Sequence, residues 1–310
     1  MVLNKKAVFF TLITITILTL FATSYTTYSL FKNRESINNR ITTLNNFVQS
    51  LEEDLPRQIY ISGYRTIFLF NKRIVETSNY ITDTQASIEE LFFNGTLDGE
   101  TQSLMNDATF TNLQNFLESN SEKINANIDL QNPTITISQN DPWNLKITFN
   151  TTLIIEDRGG LASWNKTSSI NVLIPVVNFD DPIYAANTVG KVLNRINQTP
   201  YQTFVIGGDD TNLTNHFQNS LYKESISAPS FLMRLEGNLS ASPFGIESLV
   251  NPQKLADVGI SAKYKSVVDY IYFSTDDPTK YTIPLVTNLI LDNESNHLET
   301  YNVSNVAVLA

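Results

Sequence analysis

The chain has 310 residues, a formal net charge of −10 at pH 7 and no cysteine. Without cysteine, disulfides, cysteine-ligated zinc, iron–sulfur clusters and thiol catalysis are excluded. The acidic balance argues against a nucleic-acid partner, because phosphate backbones are held by clustered Lys and Arg and the sequence contains no such cluster.

The first element is an apolar segment, Ala7–Phe31, which follows Lys5 and Lys6 and contains no charged residue. At 1.5 Å per residue, a helix of roughly 25 residues extends about 37 Å, which exceeds the hydrocarbon thickness of about 30 Å. Its seven threonines dilute the hydrophobicity, but a helical hydroxyl can donate to the carbonyl one turn earlier. The sequence therefore predicts a transmembrane helix over 7–31, with the lipid bilayer as its partner.

The fate and the orientation of this segment are open. Residues Ala7–Ala22 have the length of a signal-peptide core, so cleavage near Ala22-Thr23-Ser24 is an alternative to a permanent anchor. Basic residues lie on both sides of the segment, since Lys32 and Arg34 follow it, and the positive-inside rule is therefore weak here. The short N-terminus over 1–6 is simpler to retain in the cytoplasm. This predicts a single-pass protein of the cell membrane with the bulk of the chain outside the cytoplasm.

An amphipathic helix continues the apolar segment. Its apolar residues recur at 4-3-4-3-4 spacing, the a/d pattern of a helix-contact seam, and are Ile37, Ile41, Leu44, Val48, Leu51 and Leu55. No Pro or Gly occurs between Ala7 and Asp54, which predicts one rod of about 48 residues, roughly 70 Å long, that ends or kinks at Pro56. The seam either packs on the chain's own domain or binds identical rods, and the pattern is compatible with both.

Further helical patterns follow the seam. One covers 57–81, with an apolar side formed by Tyr60, Tyr64, Ile67, Phe70, Ile74 and Ile81. Two more helices are predicted within 84–124, where Gly95 and Gly99 are stop residues.

From Asn125 onwards the hydrophobic period changes from 3.6 to 2. Three alternating runs predict an antiparallel sheet, with a hairpin connection at 157–160. The sequence therefore predicts an α+β fold: a long transmembrane and amphipathic helix, then helices and an antiparallel sheet. The predicted organisation is a helical stalk over 32–92 and an extracytoplasmic α+β domain over 93–310.

The rest of the chain predicts short elements. Helices are expected after the turn at 180–182 and after a cap at Asp210 or Thr211, and two more over 229–237 and 252–259. Two strands are expected at "SVVDYIYFST" and "YTIPLVTNLIL", and a capped final helix at "DNESNHLETY".

Few residues in this sequence indicate chemistry. His216 and His297 lack the spacing of a metal site, and both are expected to be ordinary surface or half-buried residues. The acidic pairs at 180–181, 209–210 and 276–277 are expected to cap helices or close turns. The stretch "DDTNLTN" only distantly resembles a calcium loop, because no Glu occupies its twelfth position. The sequence predicts no metal and no cofactor.

A catalytic site is not indicated either. No G-x-S-x-G motif surrounds a serine, so a nucleophilic triad has no support. Glycoside hydrolysis needs only two carboxylates, which this acidic chain could supply, and a tethered hydrolase stays a third alternative. The sequence is therefore interpreted as that of a protein that is not an enzyme.

A basic start, an apolar segment that continues into an amphipathic helix and a β-containing head together resemble type IV pilin-like proteins. The likeness is greatest to large pilin-like membrane proteins of archaea. It covers most of the chain and rests on "NKKAVFF", "NNRITTLNNFVQSLEEDLPRQIYISGYR", "DPWNLKITF", "FDDPIYAANT" and "SFLMRLEGNLSASPFGIESLV".

The resemblance implies processing by a prepilin peptidase between Ala7 and Val8, where the family usually has Gly before the cleaved bond. It also implies a Glu at the fifth mature position, but Leu12 occupies that place in this chain. The resemblance thus predicts a membrane-anchored extracytoplasmic structural or adhesive protein that self-associates or binds other pilin-like subunits. A non-assembling anchored receptor or binding module is the alternative, and burial of the seam within one chain would favour it.

Overall fold

The computed structural model describes residues 5–310, apart from the side chains of Lys5 and Ala7. The chain divides into two compact units, each assembled from three stretches of sequence. Unit 1 comprises the residues up to Asp54, Asn115–Gln131 and Thr152–Lys166. Unit 2 comprises Leu55–Gln114, Asn132–Thr151 and Thr167–Ala310.

Helices and strands alternate in a mixed arrangement that agrees with the predicted α+β class. The helices are α1 (Lys5–Thr77), α2 (Thr84–Asn94), α3 (Phe110–Lys123), α4 (Pro182–Asn187), α5 (Thr211–Asn219), α6 (Phe231–Leu235), α7 (Pro252–Asp257), α8 (Asp269–Tyr272) and α9 (His297–Thr300). The strands are β1 (Thr96–Leu97), β2 (Glu100–Thr101), β3 (Ala126–Asp141), β4 (Asn144–Asp157), β5 (Ser163–Pro175), β6 (Tyr222–Glu224), β7 (Ile246–Ser248), β8 (Lys280–Thr282), β9 (Ile290–Asp292) and β10 (Val308–Leu309).

Helix α1 continues through Pro56, so of the two predicted outcomes, an end or a kink at this residue, the end is wrong. Proline removes one backbone donor and crowds the preceding turn, at a cost of about 3 kcal/mol in a helix interior. Leu55 and Ile59, on either side, are 2% and 0% exposed. Their burial offsets that cost, because tertiary packing rather than local propensity supplies most helix stability in proteins.

Gly63 lets the second half of α1 approach the sheet closely. A Cβ atom at this position would lie 2.4 Å from Ile147 Cδ1 in β4 and 3.6 Å from Ile174 Cδ1 in β5. Both isoleucines are fully buried. Within unit 2, helix and sheet therefore pack with room for hydrogen but not for a methyl group at this point.

Strands β3, β4 and β5 form one sheet in that order, as the change of hydrophobic period predicts. The turn after β4 is closed by a hydrogen bond from the Asp157 amide to the Ala162 carbonyl at 2.9 Å. Buried and partly exposed residues alternate along β4, which is the pattern of a strand with one face on a core. The predicted three-stranded sheet and its hairpin connection are confirmed.

The C-terminal half of unit 2 is built from short elements around a second core. Strands β6 and β7 pair with each other, and β10, β8 and β9 form a sheet in that order. The buried residues of this core include Phe204, Leu213, Phe217, Val268, Ile283, Leu289, Leu291 and Tyr301. Helices α4, α5, α6, α7 and α9 lie where the cap and turn residues predict them.

Two predicted strands of this region are corrected by the structure. Residues 266–275 contain the short helix α8 rather than a strand, because a brief apolar run buried on all sides has no period that separates helix from strand. The run 281–291 forms two strands rather than one, with Pro284 in the turn between β8 and β9. Proline cannot donate to a sheet ladder, which explains the interruption.

Candidate functional site: an apolar helical segment and a buried charge network

The first part of α1 is long and apolar enough to span a membrane. None of its most apolar 18-residue stretch is buried. Phe10, Phe21 and Phe31 are 67%, 71% and 71% exposed. A fully exposed apolar helix of this length would be unfavourable in water and is stable in hydrocarbon.

The threonines of this segment satisfy their hydroxyl groups within the helix. All seven donate to a carbonyl three or four residues earlier, at 2.8–3.0 Å. Thr16, for example, donates to the Leu12 carbonyl at 2.8 Å. These bonds remove the main cost of hydroxyl groups in lipid, as expected from the sequence.

The predicted processing positions are only partly described. Residues 1–4 and the side chain of Ala7 lie outside the described residues. Val8 is 44% exposed and Leu12 is 63% exposed. Leu12 thus presents an apolar side chain where the resemblance implies a carboxylate, and processing at Ala7 stays a prediction.

The helix-contact seam is largely buried within the single chain. Leu44, Leu51 and Leu55 are 0%, 3% and 2% exposed, whereas Ile37 is 38% exposed. Ile41 and Val48 are half-buried. The chain itself therefore covers three of the six seam positions fully and two partly, and Ile37 is the exposed one.

Ion pairs within unit 1 hold the turn between β4 and β5 against this part of α1. Arg40 donates from Nε to Asp157 Oδ1 at 2.7 Å and from Nη2 to the Asn125 carbonyl at 2.7 Å. The hydrogen bond from Arg40 lowers the pKa of Asp157 below its usual value. Lys166 pairs with Glu52 one turn before the end of the seam in this unit.

Unit 2 contains a buried charge network around Arg234. Its guanidinium is 0% exposed and donates from Nη1 to Asp181 Oδ2 at 2.6 Å and to Asp269 Oδ2 at 2.9 Å. Both carboxylates are also 0% exposed. Burial alone would lower the pKa of Arg234, but the two carboxylates raise it above its usual value, so the arginine stays charged.

The carboxylate oxygens that accept from Arg234 also accept from other elements. Tyr222 donates from its hydroxyl to Asp181 Oδ2 at 2.7 Å, and the Ser248 amide and hydroxyl both donate to Asp269 Oδ2, at 3.0 and 2.8 Å. Arg234 Nη2 donates to the Ile246 carbonyl. Buried charges are tolerated when hydrogen bonds complete their coordination in this way.

A second buried network lies around His297. Its Nδ1 is 2.9 Å from Asp292 Oδ1, and its Nε2 is 3.5 Å from Glu247 Oε2. Burial alone would lower the pKa of His297, but the two carboxylates raise it to about 9. The imidazole is therefore a cation near neutral pH, and Tyr301 completes the site by donating to Glu247 Oε1 at 2.9 Å.

His216 has the opposite environment. It is 0% exposed, its ring lies 4.8 Å from that of Phe204, and neither ring nitrogen has a hydrogen-bond partner among the described residues. Burial lowers its pKa to about 3, so it is neutral under ordinary conditions. The expectation that both histidines are surface or half-buried residues is wrong.

Strands β6 and β7 place the two networks back to back. Tyr222 pairs with Ser248, and Lys223 pairs with Glu247 on the next rung. Because successive strand residues point to opposite faces, Ser248 reaches Asp269 while Glu247 reaches His297. One short pair of strands thus connects two charge clusters through alternate residues.

Two of the three acidic pairs cap a helix or close a turn as predicted, whereas the pair at 276–277 forms an ion pair, and Asp181 has a further role. Asp181 Oδ1 accepts from the Ile183 amide at 2.8 Å and caps α4, while its other oxygen belongs to the Arg234 network. Asp209 Oδ1 accepts from the Thr211 amide at 2.9 Å, and Asp277 pairs with Lys280 at 3.0 Å. The role of Asp181 as the partner of Arg234 has no sequence signal, since the two residues are 53 positions apart.

These networks stabilise the fold rather than offer reactive groups. Asp181, Asp269, Asp292 and Glu247 are at most 1% exposed, so the described carboxylates that converge are closed to solvent and to substrate. A general acid or base must reach the proton that it transfers.

No protein-family model, curated protein or solved structure matches the chain.

Proposed function

We propose that the chain is a single-pass membrane protein that displays its folded part outside the cytoplasm, in a structural or adhesive role rather than a catalytic one. The observation that carries the proposal is the exposed apolar segment of α1, which continues without a break into the helix that packs in units 1 and 2. Such a helix couples an anchor directly to a folded head. The bilayer would cover the apolar side chains that the protein leaves exposed.

Between assembly and independent display, the seam favours a non-assembling anchored binding module. Leu44 and Leu51 are buried in the single chain, so these positions are unavailable to an identical rod. Assembly like that of pilin-like subunits is the second candidate. It is supported by the exposed first seam position, Ile37, and by the fully exposed apolar segment, which could pack against other such helices as well as against lipid.

The chain offers a direct topology test because it has no native cysteine. A single cysteine at Ser304, an exposed position, is compared with one at Asn4. A membrane-impermeant maleimide should label S304C in intact cells and N4C only after lysis. Labelling of N4C alone in intact cells would reverse the proposed orientation, and labelling of neither or of both would contradict it.

The N-terminus decides between an anchor, a processed subunit and a discarded signal. Intact mass and N-terminal sequencing of membrane-extracted protein should show a start at Met1, as expected for a non-assembling anchor. A start at Val8 would favour the pilin-like alternative. A start beyond residue 22, with the protein in the soluble fraction, would overturn the proposal.

A further inference from the structure

A cavity of about 280 Å³ lies within unit 2, between the second half of α1 and the segment that leads into α4. Tyr64, Phe68 and Phe179 contribute aromatic walls, and Asn71 and Asp180 contribute polar groups. The volume is just below the roughly 300–1,000 Å³ of ordinary ligand pockets. The cavity is therefore suited to a small ligand.

Two acceptor atoms of its lining residues have no hydrogen-bond partner among the described residues. Asn71 is 5% exposed and uses its Nδ2 to donate to the Asp180 carbonyl at 2.8 Å, which leaves Oδ1 unpaired. Asp180 Oδ1 is also buried and accepts no hydrogen bond, because its ion-pair partner, Arg195 Nε, is 3.7 Å away, too far for one. Burial raises the pKa of Asp180, while Arg195 opposes this rise. Buried unpaired acceptors are unfavourable, so these atoms favour a ligand with hydrogen-bond donors.

Two of the three aromatic walls are exposed, and the third, Phe179, is buried. Phe68 and Tyr64 are 45% and 43% exposed, and the Tyr64 ring lies 5.4 Å from that of Phe179. Tyr64 belongs to the predicted apolar side of this helical pattern, but it is exposed, whereas Ile67, Phe70 and Ile74 of the same side are buried. The rings at the cavity thus offer an apolar surface beside the unpaired acceptors, a combination typical of ligand sites.

Two cationic side chains complete the lining. Lys72 and Arg195 both line the cavity, and their side chains are 49% and 72% exposed, so each can turn toward a ligand. Their positive charges would repel an organic cation, and Asp180 would repel an anion. A hydroxyl group both donates and accepts, so a neutral polyhydroxyl compound can use the acceptors and the donors together.

We propose that this cavity binds a sugar ring, which would stack on Phe68 and Tyr64 and donate hydroxyl hydrogen bonds to Asn71 and Asp180. Lys72 or Arg195 would donate to the hydroxyl oxygens. All these residues belong to unit 2, so the inference goes beyond the proposed membrane topology and does not depend on it.

The test is saturation-transfer NMR on the full chain in lipid nanodiscs. Glucose, galactose, mannose and N-acetylglucosamine, all neutral, are added singly, and at least one should receive transfer at its ring protons. Phe68→Ala and Asp180→Ala should each weaken that sugar's binding at least fivefold. Phe116→Ala is the matched control, because Phe116 is also 45% exposed on a helix and is not part of the cavity.

Three outcomes would overturn the proposal: no transfer to any sugar of the panel, transfer unchanged in both cavity variants, or equal weakening in F116A. Transfer to arginine amide but to no sugar would show that the site prefers a cation and would also refute it. Far-UV circular dichroism checks the fold of each variant, and if F68A is misfolded, D180A decides the result.

Discussion

At the level of single residues, the two histidines show how burial and charge act in opposite directions on the same side chain. His297 lies between two carboxylates, so its protonated form is stabilised and its pKa rises to about 9. His216 lies among aromatic rings without a hydrogen-bond partner among the described residues, so its neutral form is favoured and its pKa falls to about 3. Both are fully buried: burial sets the sign of the pKa shift at His216, whereas the two carboxylates outweigh burial at His297.

These environments predict a stability maximum near pH 6.5. The pKa of His297 in the folded protein exceeds the ordinary value of 6.5, so protonation of this residue stabilises the fold. Its contribution to the free energy of unfolding is complete below pH 6.5 and is lost as pH rises through 9, by about 3 kcal/mol in total. The folded pKa of His216 is below 6.5, so the unfolded chain binds the extra proton as pH falls, which costs about 2 kcal/mol between pH 6.5 and 5.

Urea unfolding of the detergent-solubilised protein across pH 5–9.5 measures how the free energy of unfolding falls on the acid and on the alkaline side of this maximum. His297→Gln should abolish the alkaline loss and leave the acid loss, whereas His216→Phe should do the reverse. An alkaline slope that is unchanged in H297Q would show that another group titrates there and would refute the assignment.

The buried arginine gives a second prediction at this scale. Replacing Arg234 by Met leaves Asp181 and Asp269 buried without their cation, which should destabilise the fold by about 3–5 kcal/mol. The control is Arg73→Met, because Arg73 and Asp98 pair at 2.7 Å on the surface and such pairs contribute at most about 1 kcal/mol. Equal losses in the two variants, measured by urea unfolding, would show that burial does not govern the strength of the pair.

At the level of elements, the close contact between α1 and the sheet depends on Gly63. Alanine favours helices over glycine by about 1 kcal/mol, but here its methyl group would approach Ile147 Cδ1 in a fully packed core. Overpacking of this kind costs about 1–3 kcal/mol. We therefore expect Gly63→Ala to lower stability despite its better helix propensity.

A double-mutant cycle tests this contact. Ile147→Val removes the Cδ1 atom and alone should cost about 0.5–1.5 kcal/mol. In the double variant the alanine should become neutral or stabilising, which gives a favourable coupling energy in thermal or urea unfolding. Strict additivity of the two substitutions would mean that Gly63 is retained for another reason.

The elements also show what could be predicted from sequence. Periodicity located α1, α2, α3 and the strands β3 to β5, because each is long enough to show several repeats of its pattern. Capping residues located the short helices, such as α7 with Asn251 and Pro252 at its start. Helix α8 was missed, because four buried residues carry no period.

Long-range contacts explain what the sequence could not predict. The passage of α1 through Pro56 depends on burial of its flanks, which no local pattern reveals. The charge networks join residues that are far apart in sequence, since Arg234 and Asp269 are separated by 35 positions. The polar lining of the cavity likewise combines Asn71 with Asp180, 109 positions later. Such sites arise from tertiary contacts, to which spacing rules do not apply.

At the level of the whole molecule, the helix-contact seam is covered unevenly by the chain's own fold. Its first position, Ile37, is exposed, Ile41 and Val48 are half-buried, and its three leucines are buried in the chain's own fold. A repeat of apolar residues at 4-3 spacing is satisfied by any apolar surface, whether that surface is a second helix or the same chain. Self-association is therefore no longer needed to explain the pattern.

This division predicts that the two ends of the seam respond differently to truncation. Leu51→Ala should destabilise the fold by about 2–5 kcal/mol, because it opens a cavity, and should leave the oligomeric state unchanged. Ile37→Ala should alter stability by less than about 0.5 kcal/mol, as expected for a surface site. Light scattering of the solubilised protein, corrected for detergent, should give one chain per particle for the original protein and for I37A. A dimer or larger species that I37A dissociates would instead favour the pilin-like alternative, because a contact at the exposed end of the seam would then hold copies of the chain together.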